Sequence, residues 1–255
     1  MPSGALVISV ITYGGLLLVL LGLLSLIRPL RFLRIRTRRA GLTVLLAGLL
    51  LVPTGAWWPW PPHRAAGTAR IDAFVPEYQF LEFHETRVHA TPEAVYRAIR
   101  AVTADEIRTF RTLTWIRRGG RAPSHGGQNI LDPAWDQPIL DIATRSGFVW
   151  LAQDEPREVV VGTVVCCGPR DRIHDAAGFQ ALTRAGVAKA AMNFRIEDAG
   201  GGMSRVTTET RIAATDRGAR RRFGMYWALI YPGSSLIRYG WLEAIRRRAE
   251  AGGTR

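Results

Sequence analysis

Acidic residues are absent from the start of this chain, and the first one is Asp72. Two stretches of the same region, residues 1–27 and 40–62, contain no charged side chain of either sign. Each is long enough for a helix that crosses a hydrocarbon core about 30 Å thick, which takes about 20 residues. The residues between them, 28–39, contain six arginines. These absences exclude a conventional water-exposed N-terminal region and predict a transmembrane hairpin.

The predicted hairpin covers residues 1–60, with spans at about 5–27 and 41–58 and the basic loop 28–39 between them. The first span has neither the basic n-region nor the small-residue cleavage site of a signal peptide. Because short arginine-rich loops stay in the cytoplasm, the downstream domain is expected on the other side. The sequence therefore predicts an integral protein of a bacterial cell membrane, with two spans and the lipid bilayer as a partner. A helical hairpin buried inside a soluble protein is the alternative.

Lysine is almost absent from the chain as well. Lys189 is the only one, so arginine supplies nearly all of the positive charge behind the formal net charge of +13. Such usage is typical of a coding bias, and six of the arginines lie in the hairpin loop. No recognised nucleic-acid-binding motif accompanies the others. We therefore expect no nucleic-acid partner.

Cysteine is scarce, and Cys166 and Cys167 are neighbours, which excludes a disulfide framework. The sequence has no HExxH motif, no pair of CxxC motifs and no carboxylate cluster, so it predicts no metal site. It also lacks a P-loop, a GxGxxG turn after a strand and the GxSxG nucleophile elbow. These absences exclude the common nucleotide-binding and hydrolase sites, and no cofactor is expected.

A linker rich in Pro, Gly and Ala covers residues 61–75, and a folded domain is expected over residues 76–250. Alternation of apolar and polar residues in this domain predicts β-strands. The predicted strands cover residues 78–89, 148–153, 158–166, 190–198 and 204–214. Turns at Glu155-Pro156 and at the three glycines 200–202 indicate antiparallel neighbours.

A helix signal follows the first of these strands. Thr91 is a suitable N-cap, and Pro92 fits the first helical position. Val95, Ile99 and Val102 then form an apolar stripe at helical spacing. A short amphipathic helix is therefore expected directly after the first strand.

The signals beyond this helix are weaker. A capping box at residues 103–106 predicts a second helix start, and residues 112–118 favour a strand. Residues 119–128 form a glycine-rich loop that contains His125, which is most simply solvated. Residues 138–144 are predicted as a short helix or an irregular turn.

The chain ends in a predicted long amphipathic helix that begins at Thr215 or Asp216. Apolar residues three or four apart over residues 223–245 give it one continuous face, and Pro232-Gly233 is expected to kink it. Two partners suit this face. A sheet needs such a covering layer, whereas a membrane surface binds basic amphipathic helices. We expect the helix to pack on the sheet.

The predicted order of elements is strand, small helices, antiparallel strands and one long closing helix. Together with residues 88–96, Val-His-Ala-Thr-Pro-Glu-Ala-Val-Tyr, this order resembles the START-like, or SRPBCC, superfamily of polyketide cyclase-like and lipid-transfer domains. The resemblance covers residues 78–249 and implies an α+β helix-grip fold, in which an antiparallel sheet curls around the long C-terminal helix. It also implies an internal cavity for a sterol, polyketide, quinone, hormone or lipid. It implies no shared set of catalytic residues.

Candidate cavity residues follow from strand alternation. If Val88 packs beneath the first helix, Glu82 and His84 share its face, and such a buried pair could support acid–base chemistry. The candidate ligand-binding residues are Glu82, His84, Thr86, Thr208, Thr210, Tyr226 and Trp227. In the alternative register, one residue away, Glu82 and His84 are solvated surface.

Asp141 and Arg145 are four residues apart in the predicted short helix. This spacing permits an ion pair on one helical turn. The same two side chains could instead gate the mouth of a cavity. No catalytic residue is assigned.

Three functions fit these residues. The first is a membrane-anchored START-like domain that binds a hydrophobic small molecule or lipid in an internal cavity. The second is a cyclase- or dehydratase-like enzyme that uses Glu82 and His84 on an apolar substrate. The third is a non-catalytic interaction module whose cavity is filled by side chains. The first is favoured because the hairpin would hold the domain near a bilayer, where apolar ligands reside.

Overall fold

A computed structural model describes residues 3–121, 128–129, 132–133, 136–165 and 173–252 of the chain. His125, Cys166 and Cys167 lie outside these residues. The α-helices of the described part are α1 (Ser3–Ile27), α2 (Arg38–Leu51), α3 (Thr54–Trp57), α4 (Pro92–Ala101), α5 (Phe110–Arg117), α6 (Ile139–Arg145), α7 (Ala176–Ala181) and α8 (Arg217–Gly252). Short 3-10 helices cover Arg31–Leu33 and Arg70–Ala73.

The described strands form one large sheet and two small ones. They are β1 (His63–Arg64), β2 (Glu77–Tyr78), β3 (Phe80–Val88), β4 (Gln128–Asn129), β5 (Asp132–Pro133), β6 (Val149–Asp154), β7 (Glu158–Val165), β8 (Ala188–Gly200) and β9 (Met203–Ala214). The large sheet is antiparallel and has the order β3-β9-β8-β7-β6, while β1 pairs with β2 and β4 with β5. The five strands predicted from alternation are confirmed, since each overlaps one strand of the large sheet.

The chain divides into two compact units. One unit combines residues 1–60 with 217–232, and the other combines residues 61–216 with 233–255. Helix α8 contributes to both, and the division falls between Pro232 and Gly233. The sequence prediction gave the whole of this helix to the domain at 76–250, whereas its first half belongs with the hairpin residues. Because residues 223–231 are apolar or aromatic on every side of the helix, their periodicity does not identify the partner.

In the first unit, α1 and α2 pack together through glycines. A Cβ atom on Gly22 would lie 2.6 Å from backbone atoms of Leu45, and one on Gly48 would lie 2.6 Å from the backbone nitrogen of Val19. Small residues of this kind let helix backbones approach closely. Two helical stretches are long and apolar enough to cross a membrane, at Gly4–Ile27 and at Arg38–Trp57.

The connection between these helices is slightly shorter than predicted. Thr37 caps α2 by accepting a hydrogen bond of 3.1 Å from the backbone nitrogen of Ala40, so Arg38 and Arg39 are already helical. Helix α2 ends before Pro53 and α3 begins after it, since proline interrupts the hydrogen bonds of a helix.

The first half of α8 packs against α3 and α1. A Cβ atom on Gly224 would lie 2.5 Å from the carbonyl oxygen of Gly55, and the indole nitrogen of Trp60 donates to that same oxygen at 2.9 Å. The hydroxyl of Tyr13 donates a hydrogen bond of 2.8 Å to the carbonyl of Leu229. These contacts join the half-helix to the hairpin within the first unit.

In the second unit, α4 and the second half of α8 cover one face of the large sheet. The buried apolar side chains of this layer include Val88, Val95, Ile99, Phe194, Val206, Trp241 and Ile245. Complete burial of one such side chain contributes about 1.5–3 kcal/mol. The predicted stripe of α4 is confirmed, and Thr91 caps the helix by accepting from the backbone nitrogen of Ala94.

The opposite face of the large sheet is covered by the 3-10 helix Arg70–Ala73 and by α7. Ile71, Val160 and Phe179 are buried in this second apolar layer. Both faces of the sheet are therefore covered, and buried strand residues occur at odd and even positions.

Hydrogen bonds fasten the 3-10 segment to this face. The carboxylate of Glu158 accepts from the backbone nitrogen of Arg70 at 2.8 Å and from the side-chain nitrogen of Asn193 at 2.7 Å. Part of the segment predicted as a linker, residues 61–75, is therefore docked on the sheet.

Two local predictions between α4 and α6 are wrong. Residues 112–118 lie largely in α5, where Phe110 and Thr114 are buried at helical spacing and the Thr114 hydroxyl donates to the Phe110 carbonyl at 2.7 Å. The β-branched residues of this stretch favoured a strand, and packing overrides that preference. The capping contact is present, since Glu106 accepts from the Thr103 nitrogen at 2.8 Å. It closes a turn, however, and the helix begins only at Phe110.

Candidate functional site

Glu82 and His84 meet inside the second unit. They lie two residues apart on β3, where they pair with Thr210 and Thr208 of β9. Glu82 is 1% exposed and His84 is 6% exposed. The Oε1 atom of Glu82 lies 3.0 Å from Nε2 of His84. Strand β3 therefore has the register that turns these two side chains inward.

Three residues of α8 complete the surroundings of this pair. The hydroxyl of Ser234 donates a hydrogen bond of 2.7 Å to Oε2 of Glu82. The Oγ atom of Ser235 lies 3.3 Å from Nε2 of His84. The ring of Tyr239 meets the His84 ring edge-on, with the centroids 4.3 Å apart. Both carboxylate oxygens of Glu82 therefore have a partner.

Arg238 projects from the next turn of α8 toward the same part of the sheet. Its Nη1 atom contacts Sδ of Met192, and its Cζ atom lies 5.4 Å from the ring centroid of Trp241. Met192 pairs with Thr210, and Thr210 pairs with Glu82 on its other side. A row across three strands thus presents a thioether, a hydroxyl and a carboxylate to α8.

The side chain of Arg238 is a partly buried positive charge, and its Nε atom is fully buried. Burial lowers the pKa of Arg238, and the negative charge of Glu82 opposes that shift. An arginine side chain stays protonated in spite of such a shift. Within the described part of the chain, no carboxylate forms an ion pair with it. Its charge is balanced only at a distance, by Glu82.

Four polar atoms of this region are buried without a hydrogen-bond partner among the described residues. They are Nδ1 of His84, Oγ1 of Thr210, Nε of Arg238 and Nε1 of Trp241. Buried polar groups are normally paired, and an unpaired one costs about 1–3 kcal/mol. Arginine Nε and indole Nε1 can only donate hydrogen bonds, and a threonine hydroxyl can donate one. The set therefore suits a group that accepts hydrogen bonds.

The hydroxyls of the other two predicted strand residues form no hydrogen bond with Glu82 or His84 in the described structure. Thr208 is buried, and its hydroxyl donates to the backbone carbonyl of Asn193 at 2.7 Å. Thr86 is half-buried, and its hydroxyl lies 3.5 Å from the carbonyl of Arg87. Both hydroxyls are thus directed to backbone atoms.

Tyr226 and Trp227 belong to the first unit, whereas Glu82 and His84 belong to the second, so their place in a ligand site stays a prediction. Both pack on Phe223, with ring centroids 5.7 Å apart in each case. This assignment follows the division of α8 between Pro232 and Gly233.

Asp141 and Arg145 do not form the predicted ion pair with each other. The guanidinium of Arg145 donates to the backbone carbonyl of Asp141 at 3.1 Å and to the side chain of Gln137 at 2.8 Å. The carboxylate of Asp141 lies 3.9 Å from the guanidinium of Arg100 instead. The guanidinium of Arg145 thus donates to the backbone carbonyl of Asp141 and not to its carboxylate.

Sequence reasoning missed the members of this site on α8. Arg238 is the only charged residue between Arg222 and Glu243. A single charge in an otherwise apolar stretch was the available sequence signal for a functional residue. Ser234 lies on the predicted apolar face of the helix, but its partner on β3 is distant in sequence. Periodicity identifies the face of a helix and not the strand beneath it.

A separate open cleft of about 450 Å³ lies elsewhere in the second unit. Its charged lining residues are Arg70, Asp154, Arg157, Glu158, Arg195 and Glu197. Two ion pairs, Arg70–Asp154 at 3.0 Å and Arg195–Glu197 at 2.9 Å, compensate much of this charge. None of the residues predicted as a site lines the cleft, and its balanced charge does not select a ligand.

Comparison with known proteins does not identify a family for this chain. The chain matches no family model and no curated protein. Among solved structures it is similar to the crystal structure of TTHA0849 from Thermus thermophilus, with 12% identity and a TM-score of 0.24, over 65% of this chain and 97% of that one. A likeness at this level carries no argument about function. The described residues form an α+β protein with a five-stranded antiparallel sheet, a long C-terminal helix and two apolar N-terminal helices.

Proposed function

We propose that this protein is a membrane-anchored, START-like ligand-binding domain. In this proposal the two apolar stretches cross a bacterial cell membrane, and the second unit lies outside the cytoplasm. Its sheet curls around α8 in a helix-grip arrangement and encloses a hydrophobic small molecule or lipid. The observation on which the proposal depends is the buried set of unpaired donors around Arg238. The hairpin supports it, because a tether at the bilayer keeps the domain where apolar ligands partition.

The donors around Arg238 define the head group of the ligand. The Nε of Arg238 and the Nε1 of Trp241 need acceptors, and the Thr210 hydroxyl can supply a third donor. A carboxylate accepts several hydrogen bonds and balances a buried guanidinium charge. The apolar layer that contains Phe194 and Trp241 would contact the hydrocarbon part. We therefore propose an amphipathic ligand with a carboxylate or carbonyl head.

The experiment is a binding measurement on the full chain, purified from membranes in a mild detergent. Lipid extracted from the protein is identified by mass spectrometry, and affinity is measured with the fluorescent fatty acid cis-parinaric acid. We expect Arg238→Met to weaken binding about 10- to 100-fold, since hydrogen bonds to charged groups contribute about 1.5–3 kcal/mol. Arg246→Met is the matched control on the same helix, because Arg246 pairs with Glu243 at the surface.

Two further measurements separate loss of binding from loss of folding and from loss of charge. Thermal melting shows whether Arg238→Met remains folded, and Arg238→Lys keeps the charge while it removes the Nε donor. The ligand-binding proposal is wrong if the wild-type protein carries no lipid and binds no apolar probe. The head-group assignment is wrong if Arg238→Met and Arg246→Met bind the probe equally.

A second candidate function, acid–base catalysis, is favoured by the buried contact between Glu82 and His84. The geometry does not match a nucleophilic triad, in which the acid and the serine occupy different nitrogens of the histidine. Here Glu82 and Ser235 both approach Nε2 of His84. A proton-transfer role without a nucleophile is compatible with the pair, and loss of a general acid or base lowers turnover by about 10²- to 10⁴-fold. Turnover of a bound apolar compound that falls this far in Glu82→Gln would support the enzyme.

A further inference from the structure

The first half of α8 is apolar on its outward side as well as on its packed side. Residues 223–237 contain no charged side chain. On the packed side Trp227 and Tyr231 are buried, whereas on the outward side Met225 is 47% exposed and Leu229 is 45% exposed. A helix that is apolar all round is typical of a membrane or a protein core. In water, the outward side would be an exposed hydrophobic patch that needs a partner.

Leu229 lies beside the middle of α1, and this level indicates which partner covers the outward side of the half-helix. Its carbonyl accepts the hydrogen bond from Tyr13, which lies ten residues into α1. At 1.5 Å per residue, Tyr13 is about 15 Å from the start of that helix, roughly half the thickness of a hydrocarbon core. If α1 crosses the membrane, Leu229 therefore lies at the depth of the lipid chains.

The polar end of the half-helix has the composition of a membrane interface. Four arginines, Arg217, Arg220, Arg221 and Arg222, precede the apolar stretch. The guanidinium of Arg221 lies over the ring of Trp57, with Cζ 4.3 Å from the centroid. Tryptophan is enriched at bilayer interfaces, and clustered arginines bind anionic head groups. The arginine end and the outward apolar side of this half-helix thus both suit a lipid bilayer.

We infer that the first half of α8 is a third membrane-inserted segment, which enters the hydrocarbon layer beside the hairpin without crossing it. The ten residues from Phe223 to Pro232 measure about 15 Å as a helix, which is too short for a span. Pro232 lacks the N–H that would donate to the carbonyl of Ala228, and Tyr13 donates to the next carbonyl along the helix, that of Leu229. The inference rests on the membrane anchoring in the proposed function.

The test places a fluorescent label at single cysteines in the full chain. Cys166 and Cys167 are first replaced by serine, and an NBD label is attached at Met225→Cys or Leu229→Cys. Leu17→Cys, on an exposed side of α1, is the positive control, and Glu155→Cys, in the turn between β6 and β7, is the negative control. The proteins are reconstituted into vesicles of phosphatidylcholine and phosphatidylglycerol. Quenching by nitroxides on the lipid chains is compared with quenching by aqueous iodide.

We expect labels at 225 and 229 to be quenched by the lipid nitroxides at least severalfold more than the label at 155, and to be protected from iodide. If the label at 17 is quenched by lipid while those at 225 and 229 behave like 155, the third segment is wrong and the hairpin anchor stands. If the label at 17 also behaves like 155, the membrane anchoring itself is wrong, and the inserted segment fails with it.

Discussion

At the scale of single residues, the polar groups around Glu82, His84 and Arg238 include more hydrogen-bond donors than acceptors. Glu82 uses one carboxylate oxygen on His84 and the other on Ser234, so it offers no free oxygen to Arg238. The Coulomb attraction between Glu82 and Arg238 nevertheless supports the charged guanidinium. In the proposed function, Glu82 therefore acts on the ligand through charge, and its effect should depend on the charge of the ligand.

Glu82→Gln should therefore strengthen the binding of a carboxylate ligand. The amide keeps the shape of the side chain and removes the negative charge that competes for Arg238. We expect a severalfold gain in affinity for oleate and no comparable gain for oleyl alcohol, measured by displacement of the fluorescent fatty acid. Ser234→Ala, which contacts Glu82 and leaves its charge in place, is the control. Equal changes for the acid and the alcohol would contradict a charged head group at Arg238.

At the scale of helices, the first unit depends on close backbone contacts. Gly22 faces the backbone of Leu45 across the hairpin, whereas no atom of the described residues lies within 4 Å of a Cβ position on Gly14. The two glycines lie on the same helix and differ only in what they face. This difference provides a matched pair of substitutions for testing the packing of α1 on α2.

Gly22→Ala should destabilise the first unit, and Gly14→Ala should not. A methyl group at Gly22 must displace backbone, and overpacking of this kind costs about 1–3 kcal/mol. At Gly14 the same change meets open space and gains helix propensity of about 1 kcal/mol. The free energy of unfolding is measured by titration with a denaturing detergent. Equal stabilities of the two variants would show that α1 and α2 are not packed as described.

The elements also show which predictions a single sequence supports. Alternation in β3 identified Glu82 and His84 as inward residues, because a strand repeats every two residues. The partner of the first half of α8 was not predictable, because an all-round apolar helix carries no directional signal. The contact between Ser234 and Glu82 joins residues far apart in the chain, so it required the tertiary structure. The helix at α5 was missed because its β-branched residues outweighed its spacing.

At the scale of the whole molecule, a buried ion pair between Asp72 and Arg211 holds the N-terminal segment of the second unit on its sheet. Asp72 pairs with Arg211, and the two side chains are 9% and 6% exposed. Burial raises the pKa of Asp72, but the backbone N–H of Ala69 and the Arg211 guanidinium outweigh it, so the pKa is lowered overall. A carboxyl whose pKa is lowered by folding stabilises the folded state above its unfolded pKa. That contribution is lost as the pH falls through the folded pKa.

Asp72→Asn should therefore destabilise the protein by about 3 kcal/mol near neutral pH, the lower end for breaking a buried ion pair. The difference from wild type should shrink below about pH 4, near the unfolded pKa of an aspartate. Urea unfolding at several pH values, followed by near-UV circular dichroism in detergent, measures this. When Arg211 is also replaced, in Arg211→Met, the pH-dependent part of the stability difference caused by Asp72→Asn should be smaller. A difference that stays constant down to pH 2 would contradict the role of Asp72.

The division of α8 sets an order of events during synthesis of the chain. The first unit contains residues 1–60 and 217–232, so the whole of the sheet is made between its two parts. The helices α1, α2 and α3 can pack together as soon as they leave the ribosome, but the first half of α8 arrives only after β9 has been completed. Until then Gly55 lacks the backbone of Gly224 that packs on it. The first unit of this protein is therefore the first to begin folding and among the last to finish.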